Sequence, residues 1–357
     1  MDSKKTNLPA QTAIPFPSRQ PSAAAFKNQQ IDLFQTFLCN TDEERERLSN
    51  TIELWDSIPK YSVSQKEMNK RRSPEGSLPP LSVMFEYKGQ AYYALIEPAR
   101  IVGRDSAVDY YPGANEELVE DALRKIATRR GRGFFDKPLM QSGVAFSLHE
   151  LRTELADMGH TRSYQQIIRS LGILQRSRIE ISLPNGSSFV ASHYLPLLAA
   201  VSRKQIEKDP DAKWVVQFHP LVAQSIDQLA FRQFSYASMM SLPTQLARWI
   251  HKQLSVKFTF AGMAANPFEM RYSTVKRDSA MLNNSRERDN VRDVDEAFAQ
   301  LIECGVLRDV QKQPVTVARG QVVDAIYRLF PTIQFVGEIK AANKRIKDVH
   351  SSFKSRV

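Results

Sequence analysis

The 357-residue chain has only two cysteines, Cys39 and Cys304. A pair so far apart forms no disulfide framework and no Cys-x-x-Cys element, which argues against a zinc site and for a reducing compartment. Long apolar runs are missing as well. The longest, Tyr194–Val201, contains a proline and falls far short of the ~20 residues that span a bilayer. The start of the chain, Met1-Asp2-Ser3-Lys4-Lys5, leads into Thr, Asn and Pro with no signal-peptide h-region. The expectation is a cytoplasmic protein with no membrane partner. No Gly-Lys dipeptide occurs, so the P-loop pattern is absent. The six histidines form neither His-Glu-x-x-His nor a paired cluster, and a nicking tyrosine would need such a metal-binding pair. Gly131-Arg132-Gly133 is too short for dinucleotide binding. These absences point to a non-enzymatic protein without metal or cofactor.

What is present is a core and an excess of positive charge. With 42% hydrophobic residues, the chain has enough apolar material for about two domains plus tails. Forty-nine Lys and Arg against 39 Asp and Glu leave a net charge of +10, which suits a polyanionic partner.

Residues 1–30, rich in Pro, Ser, Ala and Gln, read as a disordered arm. An apolar island follows at 31–38. Leu48, Ile52 and Trp55 then share one face of a helix expected from Asp42 to about Ser57. Four prolines, with Lys66, Lys70, Arg71 and Arg72, make 59–80 a linker. Leu81–Tyr87 and Ala91–Ile96 read as a hairpin around Lys88-Gly89, and Glu116–Arg130 as a helix.

From Gly143 the order is strand, helix, turn, helix, hairpin. Ser147 and Glu150 have the spacing of a capping box, and Gly159 ends that helix. A second helix spans about Arg162–Leu171, with Tyr164, Ile167, Ile168 and Leu171 inward. Ile179, Ile181 and Leu183 alternate before Asn185-Gly186, the pair favoured in type I′ hairpin turns. This is the order of a winged helix. It recurs in looser form: strand Trp214–His219, helix Pro220–Gln228, a helix capped by Ser241, a short helix near Ser273–Met281, a longer one over Arg286–Cys304, and a hairpin of Val306–Val310 with Val322–Phe330. The expected fold is α+β, two tandem winged-helix domains with a disordered N-terminal arm. Residues 1–79 form the flexible arm with its short helix, 80–205 and 206–335 the two domains, and 336–357 a basic tail.

In a helix-turn-helix the second helix presents its N-terminal residues to base edges in the major groove. In the second domain that places Arg286, Arg288, Asn290 and Arg292 as base readers, since Arg pairs with guanine and Asn with adenine. A solvated helix face would carry the same residues. The corresponding set in the first domain is Arg162, Gln165, Gln166 and Arg169, for which a dimer contact or a structural role is an equal reading. Arg129, Arg130 and Arg132, with Lys312 and Arg319 in the second wing, suit phosphate contacts.

The chain resembles plasmid replication initiators of the RepA/TrfA type over about residues 80–335. The likeness is carried by Leu81–Phe85, Val144–Leu151, Ser241–Arg248 and Arg288–Leu307 in that order and spacing. It implies binding of double-stranded origin DNA at tandem repeats, help in opening the duplex, and recruitment of the host replicative helicase and host initiator. It also implies a homodimer in equilibrium with monomer, often with repression of the initiator's own gene. A dedicated winged-helix repressor is the alternative. Gln30-Ile31-Asp32-Leu33-Phe34 looks like the pentapeptide with which bacterial proteins dock on the sliding clamp, with Ile for the first Leu. An extended peptide of this kind can insert Leu33 and Phe34 into an apolar pocket. The competing reading packs Leu33, Phe34, Phe37 and Leu38 on the domain.

Overall fold

The computed structural model describes residues 47–103, 106–129, 132–202, 209–258, 267–316 and 322–354. Residues 1–46, which hold the clamp-like motif, and Arg130 and Arg319 lie outside the described residues. The described chain opens with β1 (Leu48–Ile52), a 3-10 turn at Trp55–Ser57 and α1 (Gln65–Arg71). Next come β2 (Leu81–Tyr87), β3 (Gln90–Glu97), β4 (Ala99–Val102), β5 (Ala107–Tyr110) and α2 (Ala114–Ala127). β6 (Gly133–Asp136), β7 (Gln141–Ser147), α3 (Leu148–Asp157), α4 (Tyr164–Arg176), β8 (Arg178–Ser182) and β9 (Phe189–His193) follow. β10 (Leu197–Val201), β11 (Lys213–Gln217), α5 (Pro220–Asp227), β12 (Phe231–Ser235) and α6 (Tyr236–Met240) come after them. The remainder is α7 (Gln245–Lys257), β13 (Phe268–Arg271), α8 (Tyr272–Ser279), α9 (Glu287–Glu303), β14 (Leu307–Thr316), β15 (Val322–Pro331) and α10 (Ile333–Lys354).

Two apolar cores divide this chain. The first gathers buried residues from Ile52 to Met240, the second from Leu242 to Ile339. The boundary expected between residues 205 and 206 therefore falls inside the first core. The reason is a strand pairing: β11 lies between β10 and β7 in the sheet order β10-β11-β7-β6. Alternation of Trp214 and Val216 identifies the strand, but nothing local names its partner.

Three further expectations are corrected. Residues 48–52 are a strand paired with β12, Leu48 opposite Ser235 and Ile52 opposite Phe231. Ser49, Asn50, Thr51 and Ile52 are all buried, so two-sided enclosure overrides the helical spacing of Leu48, Ile52 and Trp55. The expected linker at 59–80 is part of the first core through Tyr61, Val63, Met68 and Leu78, and Ser64 caps α1 by accepting from the Glu67 amide. Its prolines interrupt regular structure without taking the segment out of the core. The expected basic tail is α10, whose Phe335, Val336 and Ile339 close the second core.

The second unit is a winged helix with a three-stranded sheet, β13-β15-β14. Its helices run α7, α8 and α9, with Gly305 in the left-handed region at the end of α9. α7 starts at Gln245, capped by Thr244 rather than Ser241. The first unit keeps the helix order α2, α3, α4, but its hairpin β8–β9 joins β3 instead of β7, giving the sheet β2-β3-β8-β9. The type I′ geometry sits at Lys88-Gly89, both residues having positive φ, with Tyr87 opposite Gln90. In the β8–β9 loop only Gly186 has positive φ, and its amide donates to Leu183. That loop is six residues long, so the two-residue turn read at Asn185-Gly186 is not formed.

Candidate nucleic-acid interface

The second unit presents the clearest face. α9 buries Val294, Ala297, Phe298 and Leu301, which turns its N-terminal polar residues outward. Arg286 stands at the N-cap, and Arg286, Arg288 and Arg292 are exposed. Arg286 and Arg288 make no ion pair among the described residues, whereas Arg292 lies 3.1 Å from Asp289 one turn back. Four residues apart, Arg288 and Arg292 share one helix face.

Asn290, read from the sequence as a base reader, is 1% exposed. Its Oδ1 accepts from the Asn284 amide at 2.9 Å, while Nδ2 donates to the Asn284 carbonyl and to Glu287 Oε2. It ties the α8–α9 turn to the helix and has no free edge for a base. The sequence places it on the polar face, but the chain bends back over it. Glu287 is the anchor of this turn. Hydrogen bonds from Lys276 and Tyr272 hold its carboxyl below the usual range.

Lys312 of the wing is likewise engaged, 2.7 Å from Asp295 on α9, and the Tyr327 hydroxyl donates to the same carboxylate. The wing is thereby fixed to the helix beside it. Lys312 starts from an ion pair, not from a free position over a phosphate.

In the first unit α4 begins with a complete capping box. Ser163 Oγ accepts from the Gln166 amide and the Gln166 side chain accepts from the Ser163 amide. Gln166 is therefore committed locally, and Gln165 alone of that set is exposed without a partner among the described residues. The Arg162 guanidinium donates twice to Asn115 Oδ1, at 3.1 and 2.9 Å. Arg169 stacks on Tyr110, its guanidinium carbon 4.4 Å from the ring centre.

The expected phosphate contacts Arg129 and Arg132 are neutralised. Arg129 pairs with Glu150 and Glu154, and Arg132 with Glu150 at 3.2 Å. Glu150 thus reaches these arginines instead of closing a capping box. Only the serine half, Ser147 accepting from the Glu150 amide, is formed.

A buried ionic cluster went unread in the sequence. Arg124 on α2 makes two bonds to Asp56, at 2.8 and 2.9 Å, and one to Asp121 at 2.7 Å. Trp55 and Tyr61 donate to Glu120. Burial alone would raise the pKa of Asp56, but Arg124, Lys60 and Lys252 outweigh it and hold the carboxyl well below the usual range. The legible signal was an α2 with acids at 116, 117, 120 and 121 and bases at 124 and 125. The pattern reads equally as a solvated face.

No family model matches the chain, and no curated protein matches it. Among solved structures, domains 2 and 3 of RctB align with 79% of this chain and 99% of theirs, at 9% identity and a TM-score of 0.49. A second structure of the same RctB domains aligns with 75% of this chain and 97% of its own, at 11% identity and a TM-score of 0.45. The Pi initiator protein, solved in complex with iteron DNA, aligns with 61% of this chain and 91% of its own, at 12% identity and a TM-score of 0.40.

Among the described residues no helix is long and apolar enough to cross a membrane, and no cluster of metal-ligating side chains occurs.

Proposed function

We propose that the protein is a replication initiator that binds tandem repeats in a plasmid origin through its second winged helix. The observation that carries this reading is the N-terminal turn of α9. There Arg286 and Arg288 stand exposed without carboxylate partners among the described residues, on a helix held between a fixed turn and a fixed wing. Major-groove reading needs such donors on a rigid element. The net charge of +10 adds sequence-independent attraction to the duplex. Duplex opening would draw on binding and bending energy.

Finer roles follow from the sequence resemblance and are part of the same proposal. They are recruitment of host helicase and host initiator, monomer–dimer exchange, repression of the initiator's own gene, and clamp docking through Gln30–Phe34. The test of the central claim is Arg288→Ala in a binding titration against cognate and random duplexes. A loss of ~1–3 kcal/mol confined to the cognate site is expected. Equal losses on both duplexes would make Arg288 a phosphate contact and remove the basis for sequence choice.

A further inference from the structure

A cavity of about 330 Å³ lies where α2, α4 and the start of α7 meet. That volume is within the range of small-ligand pockets and exceeds what a bare phosphate ion fills. Arg162, Arg169, the first turn of α2, Tyr110, Tyr111 and Met68 are among the residues that line it, with Arg169 and Arg72 lying over the Tyr110 ring.

Two of the lining side chains are arginines that, like Arg72, Arg152 and Arg176 of the same unit, bond no carboxylate among the described residues. Arg124, Arg129, Arg132 and Arg178 are each paired with carboxylates. Arg162 bonds only neutral oxygens, those of Asn115 and Thr161, and Arg169 lies against the Tyr110 ring. Neither has a carboxylate within ion-pair distance among the described residues. The one carboxylate in the lining, Glu116, is occupied by the Gly113 amide and the Ser170 hydroxyl. Two guanidinium groups without an ion-pair partner among the described residues line this cavity and can bond an anion.

We propose that this cavity binds a small phosphorylated ligand of nucleotide size, Arg162 and Arg169 holding the phosphate and the rest of the lining the remainder. The proposal stands apart from the origin-binding reading, which rests on α9.

The test is calorimetric titration of the full chain with adenosine and guanosine 5′-monophosphate, wild type beside Arg162→Gln/Arg169→Gln, with thermal unfolding as the control for folding. One-site binding that weakens about tenfold or more in the double variant is expected. The charge-preserving pair Arg162→Lys/Arg169→Lys should recover part of it. Should the double variant fail to fold, Arg169→Gln alone gives the comparison, because that guanidinium makes no hydrogen bond among the described residues. Absence of nucleotide binding, or binding equal in wild type and variant, overturns the proposal. A parallel arm titrates a short random duplex. If only duplex affinity falls in the variant, the phosphate belongs to a DNA backbone and the small-ligand site does not exist. Loss of sequence choice in Arg288→Ala leaves this result untouched, so the two readings fail separately.

Discussion

Lys252 Nζ lies 2.6 Å from Asp121 Oδ2 and 3.2 Å from Glu117 Oε1, joining the first helix of one winged-helix unit to the first helix of the other. All three side chains are buried. Burial would lower the lysine pKa, but Asp121 and Glu117 reverse that and hold it above the ordinary value. The two units are therefore coupled through charges that water does not reach. A second bridge, Arg277 to Glu86 at 2.8 Å, runs from α8 to β2. The relative position of α9 and the first unit depends on these contacts.

Lys252→Met is expected to cost about 3 kcal/mol, because it leaves Glu117 and Asp121 buried with one cation fewer. The measurement is the urea midpoint at pH 7 in the full chain. A change under about 1 kcal/mol would mean that water or Arg124 takes over the lysine's role. Double-mutant analysis with Asp121→Asn would then give a coupling energy near zero.

Acid should destabilise the fold well before the carboxylates titrate. Burial holds His219 and His251 at about 3, with Lys60 and Lys252 adding smaller contributions. Neither ring nitrogen of His251 has a hydrogen-bond partner among the described residues, and the ring packs against Phe234 and Phe335. Unfolding frees each histidine to protonate near 6.5. Above that pH the term is absent. As pH falls from 6.5 toward 3 the unfolded chain binds protons that the fold refuses, and stability drops by ~1.4 kcal/mol per unit for each histidine. His251→Leu should remove one histidine's share of the slope between pH 6 and 4. An unchanged slope would show that the ring is charged in the fold.

How much could be read beforehand follows the range of the interactions. α9 was legible to within a residue, because Val294, Phe298 and Leu301 repeat at helical spacing and Gly305 stops the helix locally. The exposed position of Arg288 needed only that spacing. Asn290 has the same spacing, but its partner Asn284 sits across a turn whose path is set by Tyr272 and Lys276 meeting Glu287. The strand at 48–52 was misread because its partner is 187 positions away, Leu48 with Ser235. Asp56 and Arg124, 68 positions apart, could not be paired by any periodicity. Local signals located α2 to α5 and α7 to α9 but not α1, α6 or α10, and the long-range pairings decided where the units end and which polar residues are free.

Arg129 and Arg132 should contribute little to the salt dependence of DNA binding. A free arginine over a phosphate adds about one unit to the slope of log K against log salt. These two already neutralise Glu150 and Glu154 on α3. Arg129→Ala is expected to leave the slope unchanged and to lower the melting temperature slightly, the pair being partly exposed. A slope reduced by about one unit would mean that DNA displaces the glutamates.

Asn290→Ala and Arg288→Ala should fail in different ways, although only Asp289 separates them on one helix. Removing Asn290 frees the Asn284 amide and carbonyl and takes one donor from Glu287. Unsatisfied groups of this kind cost ~1–3 kcal/mol of stability. The turn that aims α9 would loosen, so affinity should fall on every sequence alike and the melting temperature with it. Arg288 is exposed and has no ion pair among the described residues, so its loss should leave the melting temperature within about 1 °C and act on the cognate site alone. Thermal melting and competition binding on the same two variants separate the roles. If Asn290→Ala melted like wild type and lost one base preference, the side chain would be reading adenine after leaving the turn, and the pocket around Asn284 would have to open on binding DNA.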